Sequence, residues 1–367
     1  MDSYAQKIAN INIYQWNARS IRSKLASFKQ LLIQEKIHIA AITETWLESD
    51  YTLKIRNYVV YRQDRDSSYG GVVLLIHKSI KSEHIQVTHN NAHFEIIFVK
   101  IYNCQQINNI ICFYCPSNID TSQNDWDSLL SLANTKTMIL GDFNGHHTNW
   151  SYKTNSRGDQ ILQSVLENNF IILNDGTPTR FQLVDGVLRQ SSPDISLITS
   201  DMSLVLNWMV TKESLGSDHL IIKLSTKVNI NIIRQRKRNF KKADWCSYTS
   251  YLQQSFSSAE FPETMQIAYD IFIKIINEAA DLFIPFIKYC LLPENKFTPK
   301  PFWNAELSRS VALRRLALSR FRRNPTPDNH DLLLDKIRDA QRLMRIAESN
   351  GWHGFCNSID EKTSPKD

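Results

Sequence analysis

Met138-Ile139-Leu140-Gly141-Asp142-Phe143-Asn144 is a short apolar run that stops at a glycine and then offers a carboxylate and a carboxamide. An apolar run of this length bounded by turn residues reads as a buried strand with Gly-Asp-x-Asn at its exposed end. Asp142 and Asn144 lie two apart, so on an extended backbone they share a face while Phe143 turns into the core. An anionic acceptor beside a neutral donor and acceptor can hold a hard cation and orient a water, as phosphodiester hydrolysis requires. The same residues equally suit a strand followed by an Asx turn with no chemistry attached.

Upstream, Ile11 to Asn17 alternates apolar and polar residues as a strand does, and Asn17 opens a loop. Leu25, Phe28, Leu31, Leu32 and Ile33 have the spacing of an amphipathic helix. Ile37 to Thr43 reads as a buried strand that ends in Glu44-Thr45-Trp46. Five β-rich runs follow, at 58–62, 70–77, 85–88, 94–102 and 107–115, separated by turn residues and without helical period between them. Such a series predicts mostly antiparallel strands. Helices are expected over 125–132 and 161–169, and strands over 171–173, 179–181, 193–198, 208–213 and 220–224. Mixed strands and helices through about residue 227 predict an α/β (α+β) layered sandwich, two packed mixed β-sheets with helices outside.

After Val228 the composition changes. Arg234-Gln235-Arg236-Lys237-Arg238-Asn239-Phe240-Lys241-Lys242 is a basic run, and 267–283, 303–321 and 328–348 carry helical periodicity between proline-bearing breaks. The expected organisation is a sandwich domain over 1–227, a basic linker over 228–245 and an all-helical segment over 246–367. The 367 residues carry a net charge of +6, an excess that favours polyanionic partners. Six cysteines include one CxxC, Cys112 and Cys115, without a second pair or a histidine at zinc spacing. They read as free thiols of a reducing compartment. No secretory signal pattern and no bilayer-length apolar window occur, so a cytosolic or nuclear protein is expected.

Asn17, Glu44, Tyr114, Asp142, Asn144, Asp194, Asp218 and His219 all fall at the ends of apolar runs. Each has an ordinary explanation singly, as a turn former, a solvated charge or a core residue with its polar tip at the surface. Their joint pattern is what points to a site. In order, Trp16-Asn17, Thr43-Glu44-Thr45-Trp46, Phe113-Tyr114-x-Pro116, Gly141-Asp142-Phe143-Asn144, Pro193-Asp194-Ile195 and Ser217-Asp218-His219 resemble the endonuclease/exonuclease/phosphatase superfamily, whose fold is deoxyribonuclease I-like and four-layered. Asn144-Gly145-His146-His147-Thr148-x-Trp150, Ser156-Arg157-Gly158 and Thr177-Pro178-Thr179-Arg180-Phe181 further resemble the apurinic-type endonuclease of jockey-like non-LTR retrotransposons. Lys300-Pro301-Phe302-Trp303, the Arg-rich helix after it, Arg322-Arg323-Asn324-Pro325-Thr326-Pro327 and Ser349-x-x-Trp352-x-x-Phe355-Cys356 resemble the connector that precedes the reverse transcriptase of those elements. No Tyr/Phe-Ala-Asp-Asp polymerase signature occurs, so the chain reads as an endonuclease and connector that stops before the polymerase.

The resemblance implies roles. Glu44 would be a ligand of Mg²⁺, with Mn²⁺ as a substitute, because a hard divalent ion prefers carboxylate oxygen. Asn17 would help hold Glu44 or the phosphate, and Asp218 would add negative charge near the metal. Asp142 would position or deprotonate the attacking water, Asn144 would bond a phosphate oxygen or that water, and Tyr114 would touch the phosphate or assist the leaving oxygen. His219 would contact the scissile phosphate while Asp194 orients its ring and favours its charged form. Arg19, Thr179, Arg180, Ser217 and His147 would contact DNA or its phosphates, and the basic C-terminal segment would contact element RNA. The expected outcome is a nick in double-stranded DNA that leaves a 3′ hydroxyl to prime reverse transcription, in the nucleus and away from membranes. Two departures stand out: Arg19 occupies a place where relatives often carry Asp or Asn, and Gly145 one where they often carry Ala. A host abasic-site repair nuclease or phosphatase of the same fold, and an inert remnant that only binds nucleic acid, are the alternative readings.

Overall fold

The computed structural model describes residues 3–8, 10–65, 69–102, 104, 106–202, 206–226, 230–235, 238–262, 264–286 and 302–359. In chain order its strands are β1 (Ser3–Ile8), β2 (Asn12–Asn17), β3 (Ile39–Thr43), β4 (Tyr58–Gln63), β5 (Val72–His77), β6 (Lys81–Ile85), β7 (Glu95–Tyr102) and β8 (Asn109–Tyr114). They continue with β9 (Thr137–Asp142), β10 (Phe170–Ile172), β11 (Arg180–Val184), β12 (Val187–Ser191), β13 (Asp194–Thr199), β14 (Leu206–Val210), β15 (Ile222–Thr226) and β16 (Ile230–Gln235). The α-helices are α1 (Leu25–Gln34), α2 (Gln123–Ser131), α3 (Ser156–Glu167), α4 (Trp245–Ser258), α5 (Met265–Phe283), α6 (Ala305–Arg323) and α7 (Pro327–Asn357).

Two six-stranded sheets dominate, ordered β14-β15-β2-β3-β5-β4 and β10-β13-β9-β8-β7-β6. In each, the two middle strands are parallel, β2 with β3 and β8 with β9, and every other pairing is antiparallel. Each parallel pair needs a crossover, which α1 supplies in one sheet and α2 in the other. The two crossovers bring the carboxyl ends of four strands to common sheet edges, where α/β sheets habitually place their ligands.

Strand alternation sorts the core into layers. Ile11 and Ile13 of the first sheet and Ile110, Cys112, Met138 and Leu140 of the second share one cluster, which fills the space between the sheets. The intervening Tyr14, Trp16 and Ile42 pack against Phe28, Leu31 and Leu32 of α1. On the far side Ile111, Phe113 and Ile139 pack against Trp126 and Leu129 of α2 and Ile161 and Val165 of α3. Four layers result, two mixed sheets flanked by helices. Cys112 lies between the sheets and Cys115 in the helix-side layer, both as free thiols.

The described residues fall into two compact units, one within Lys7–Ile232 and Leu291–Asp367, the other within Met1–Gln6 and Ile233–Cys290. By contacts, α6 and α7 thus group with the sandwich, whereas the sequence expectation joined them to α4 and α5 in 246–367. Phe181 and Leu220 of the sandwich share a buried cluster with Ala317, Leu318 and Phe321 of α6 and Leu333 of α7. In the other unit, Phe256 of α4 stacks on Phe272 of α5 with ring centroids 5.4 Å apart. No described helix is long and apolar enough to cross a membrane.

Several local expectations change. The strand expected over 85–88 is β6, four residues earlier at its start. The strand read at 179–181 runs on to Val184, turns through Asp185 (φ 51°) and Gly186 (φ 74°), and returns as β12. Asp-Gly at two positive-φ positions is a strong hairpin signal that the reading passed over. Helix α4, rich in serine and glutamine, falls in the segment expected to be helical, although no periodic run marked its position. Within the basic run, Arg236 and Lys237 lie outside the described residues, as do Lys300 and Pro301.

Candidate active site

The polar ends of the inner faces meet at one edge of the sandwich. Counting by twos from Ile11 and Ile13 leads to Gln15 and Asn17; from Met138 and Leu140 it leads to Asp142. Across the second sheet the pairing register aligns Glu95 with Tyr114, Tyr114 with Asp142, and Asp142 with Asp194, a row of polar groups over four strands. Gly141 is required inside this row: a Cβ there would lie 1.7 Å from the carbonyl oxygen of Phe113.

Asn17 joins the two sheets chemically. Its Nδ2 donates to Glu44 Oε1 and to Asp142 Oδ2, each at 2.8 Å. Tyr114 donates its hydroxyl to the same Glu44 oxygen at 3.3 Å. Glu44 sits just past β3 with φ 48°, a left-handed conformation that an L-residue holds only where its surroundings impose it. Those surroundings are the Gly70-Gly71 turn, whose carbonyls accept from Trp46 and Thr45, and whose Gly71 N–H donates to buried Glu95 at 2.7 Å. Glu95 pairs with Arg65 at 3.0 Å, and burial pushes its carboxyl up to about 7. The sequence reading missed Glu95, because a lone acid opening a β-run has no motif around it.

The expectation of an extended backbone through Asn144 fails. Asn144 has φ 49°, and its N–H donates to Asp142 Oδ1 at 2.9 Å, so an Asx turn caps the strand. Its amide donates to the Cys115 carbonyl at 3.1 Å, which fixes the carboxamide beside Asp142 by a different route. Phe143 is buried as expected, against Phe113 with centroids 4.6 Å apart.

On the other flank, His219 Nδ1 meets Asp194 Oδ2 at 2.8 Å with both side chains 2% exposed. Burial opposes a charged imidazole, but Asp194 outweighs it and His219 is pushed up to about 9. Thr179 spends its hydroxyl on Asp194, and Ser217 spends its own on the Asn17 carbonyl at 2.9 Å while accepting from His219 N–H. Both hydroxyls are donors within the site, to Asp194 and to the Asn17 carbonyl. Asp218 Oδ2 accepts from Arg180 at 2.9 Å, Arg19 at 3.1 Å and Gln182 at 3.1 Å. Burial raises the Asp218 carboxyl, His219 and the two guanidiniums lower it more, and it ends near 2. Its Oδ2 is thus engaged by the two arginines and Gln182, while Oδ1 is left without a partner among the described residues. Lys24 anchors the Arg19 loop by donating to the carbonyls of Ala18, Arg19 and Ser20. His147 packs on Trp150 and lies 3.7 Å from Asp159, apart from this cluster.

The donor set suits a hard cation. Glu44 and Asp142 present carboxylate oxygens bridged by one carboxamide. Asp194 Oδ1 and Asp218 Oδ1 are buried with no hydrogen-bond partner among the described residues. Asp142, Asp194 and His219 offer ligand atoms within 4.8 Å of one another. The Asp194–His219 hydrogen bond uses Oδ2 and Nδ1, so Asp194 Oδ1 stays open, and Glu44 and Asp142 add carboxylate oxygens held by Asn17. Burial, with Asp194 beside it, pushes the Asp142 carboxyl up to about 7, and the charged His219 offsets only part of that rise.

A family model described as endonuclease-reverse transcriptase matches residues 108–223, a segment that contains Tyr114, Asp142, Asp194 and His219. The fold agrees with the endonuclease domain of TRAS1, a telomere-specific non-LTR retrotransposon, at a TM-score of 0.50 and 22% identity over 59% of this chain and 99% of that one. Residues 108–223 of this chain thus match an endonuclease/exonuclease/phosphatase family model. An AP endonuclease from Archaeoglobus fulgidus shares the fold of the domain at a TM-score of 0.50 and 18% identity, over 59% of this chain and 100% of that one. Among curated proteins, the chain is 24% identical over 185 residues to a probable RNA-directed DNA polymerase from transposon X-element of Drosophila melanogaster, covering 47% of the chain and 19% of that protein. It is 22% identical over 280 residues to the RNA-directed DNA polymerase from mobile element jockey of Drosophila funebris, covering 74% and 30%. The chain therefore matches less than a third of the length of either relative.

Proposed function

We propose that this domain is a divalent-metal-dependent DNA endonuclease that nicks target DNA by phosphodiester hydrolysis, leaving a 3′ hydroxyl for target-primed reverse transcription of a non-LTR retrotransposon. The observation that carries the reading is the convergence, at one edge of the two sheets, of Asn17 and Glu44 from one sheet with Tyr114, Asp142, Asp194 and His219 from and beside the other. Glu44 and Asn17, with Asp218 adding negative charge nearby, would hold Mg²⁺, which neutralises phosphate charge and acidifies a bound water when present.

The chain's own groups account for the rest. His219 carries a proton through the neutral range, so its ring can donate to a phosphate oxygen from Nε2 while Asp194 holds Nδ1. Asp142, lodged between Asn17 and the Asn144 N–H, is oriented to accept a proton from an attacking water. Tyr114 lies beside Glu44 with its hydroxyl on the acid, and burial, with Glu44 next, raises it well above the usual phenol range, so it stays a donor. Arg19 is half exposed at the rim and suits a backbone phosphate. DNA as substrate draws on the TRAS1 and AP endonuclease likeness, and work on genomic DNA implies action in the nucleus. Contact with element RNA through the basic segment from 234 to 242 belongs to the same proposal.

Supercoiled plasmid incubated with Mg²⁺ or Mn²⁺ tests this directly. The wild type nicks, and His219→Ala and Asp142→Ala each lose about 10²–10⁴-fold in rate. Equal metal-dependent nicking by all three would sink the assignment. Faster cleavage of an abasic duplex than of intact DNA would move it toward a repair activity.

A further inference from the structure

The loop that delivers Ser217, Asp218 and His219 is closed at its base by the Ile221 N–H, which donates to the Glu213 carbonyl at 2.9 Å. Within it, the Glu213 side chain is buried and turns back on its own loop: Oε1 accepts from Ser214 N–H at 3.1 Å and from Leu215 N–H at 2.9 Å. The same carboxylate reaches out of the sandwich to α6, where Arg314 Nη2 lies 3.1 Å from Oε1 and Arg315 Nε 2.7 Å from Oε2. Arg314 is 4% exposed, an unusual place for a guanidinium, and Glu213 is its ion-pair partner. Two further contacts press the helical pair onto the same loop. A Cβ on Gly216, whose φ is 93°, would lie 2.8 Å from Ile337 of α7, so α7 rests directly on the loop backbone. Phe181, whose N–H donates to the Asp218 carbonyl, is buried against Leu318 and Phe321 and lies under Arg322, 4.9 Å from the ring centroid.

We propose that α6 and α7 are a working part of the active site, and that the buried Glu213–Arg314 pair positions the Ser214–His219 loop so that His219 meets Asp194 in register. Arg314 is then a positioning residue acting through the loop, not a contact for nucleic acid, although it lies on an Arg-rich helix. The physical argument is one of alternatives. Burial alone raises the Glu213 carboxyl, and Arg314 with Arg315 brings it below its usual value, so the ionised form is held by α6. Without Arg314 the carboxylate must take a proton or move toward water, and either response withdraws an acceptor from the Ser214 and Leu215 amides. His219 is four residues from Leu215 on the same closed loop, and a shift of an ångström at a catalytic group is enough to slow a reaction by about 100-fold.

This inference rests on the nuclease reading for its activity arm only. In plasmid nicking, Arg314→Met lowers kcat by about 10- to 100-fold while KM for DNA and the salt dependence stay within about twofold. Arg314→Lys recovers part of the loss, because it restores the charge without the planar fork. In the same variants, amide exchange at Leu215 and His219 speeds up, a readout that needs no catalysis. Where Arg314→Met does not fold, Glu213→Gln with Arg314→Met removes the stranded charge; it should recover the fold and not kcat. The proposal is overturned if Arg314→Met keeps wild-type kcat and wild-type exchange, if its defect lies wholly in KM with a flatter salt slope, or if the double variant regains full kcat. A wild type that never nicks overturns the nuclease reading alone, and the exchange comparison still decides the positioning role.

Discussion

His219 holds its proton because one buried carboxylate faces it. Burial by itself would strip an imidazole of its charge, and Asp194 at 2.8 Å reverses that, with Asp218 and Asp142 adding to the effect. Replacing Asp194 with Asn keeps a hydrogen-bond acceptor for Nδ1 but removes the charge. Burial then acts unopposed by its largest counterweight. In Asp194→Asn the His219 ring is expected to titrate at or below the ordinary histidine value of about 6.5, against about 9 in the wild type. An ¹⁵N-histidine NMR titration reads this, and unchanged titration of His219 would refute the assigned cause. Stability has a matching sign. A raised folded value means that the His219 contribution is complete below about pH 6.5 and drains away as pH climbs toward 9, so the wild type, and not Asp194→Asn, should weaken over that interval.

At the level of elements, the site exists because two parallel pairs end at the same edge and because the sheets are tied just beneath it. Gln15 makes the tie. From β2 its Nε2 donates to the carbonyls of Gly141 and Ile195 in the opposite sheet, at 2.9 and 3.0 Å, and its Oε1 accepts from Ser196 at 2.6 Å. Gln15→Leu fits the volume and orphans those buried groups, so a loss of about 2–4 kcal/mol is expected in urea unfolding. Nicking should fall as β9 and β13 lose their reference to β2; a loss under about 0.5 kcal/mol would show that the tie is dispensable. Much of this was legible in the sequence and some was not. The alternation in Ile11 to Asn17 and the run into Gly141-Asp142 located the strands and their polar ends, since period two is written in residue type. Gln15 drew no attention, because a polar residue on an alternating strand looks solvated until the facing sheet is known. Asp218 sits where it was sought, yet its partners Arg180 and Gln182 come from a hairpin far along the chain, and no local pattern announces such a pairing. Arg314 likewise is one arginine among many on an Arg-rich helix, and only the facing Glu213 sets it apart.

Over the whole sandwich, polar groups are divided between opposite ends of the first sheet. Asn17 and Thr43 end β2 and β3 at the site, whereas Asn12, His38 and the last residue of β5, His77, lie at the other end. There His38 is buried, its Nδ1 accepts from Asn12 N–H at 3.2 Å, and its ring meets that of His77 edge-on at 6.3 Å. An accepting nitrogen requires the neutral ring, and burial, with His77 next, lowers His38 to about 4. The unfolded chain takes up this proton near pH 6.5 and the folded chain resists it to about 4, so folding loses free energy as pH falls through that range. The share of His38 is about 3 kcal/mol, since one pKa unit corresponds to about 1.4 kcal/mol. His146, also lowered to about 4 by burial, has the same sign and remains in any His38 variant, so the useful quantity is a difference. His38→Asn offers an acceptor to Asn12 without a titrating ring. Its unfolding free energy should fall less steeply than that of the wild type between pH 6.5 and 4.5, whatever its absolute value, and parallel slopes for the two proteins would rule out His38 as the acid-sensitive point of the fold.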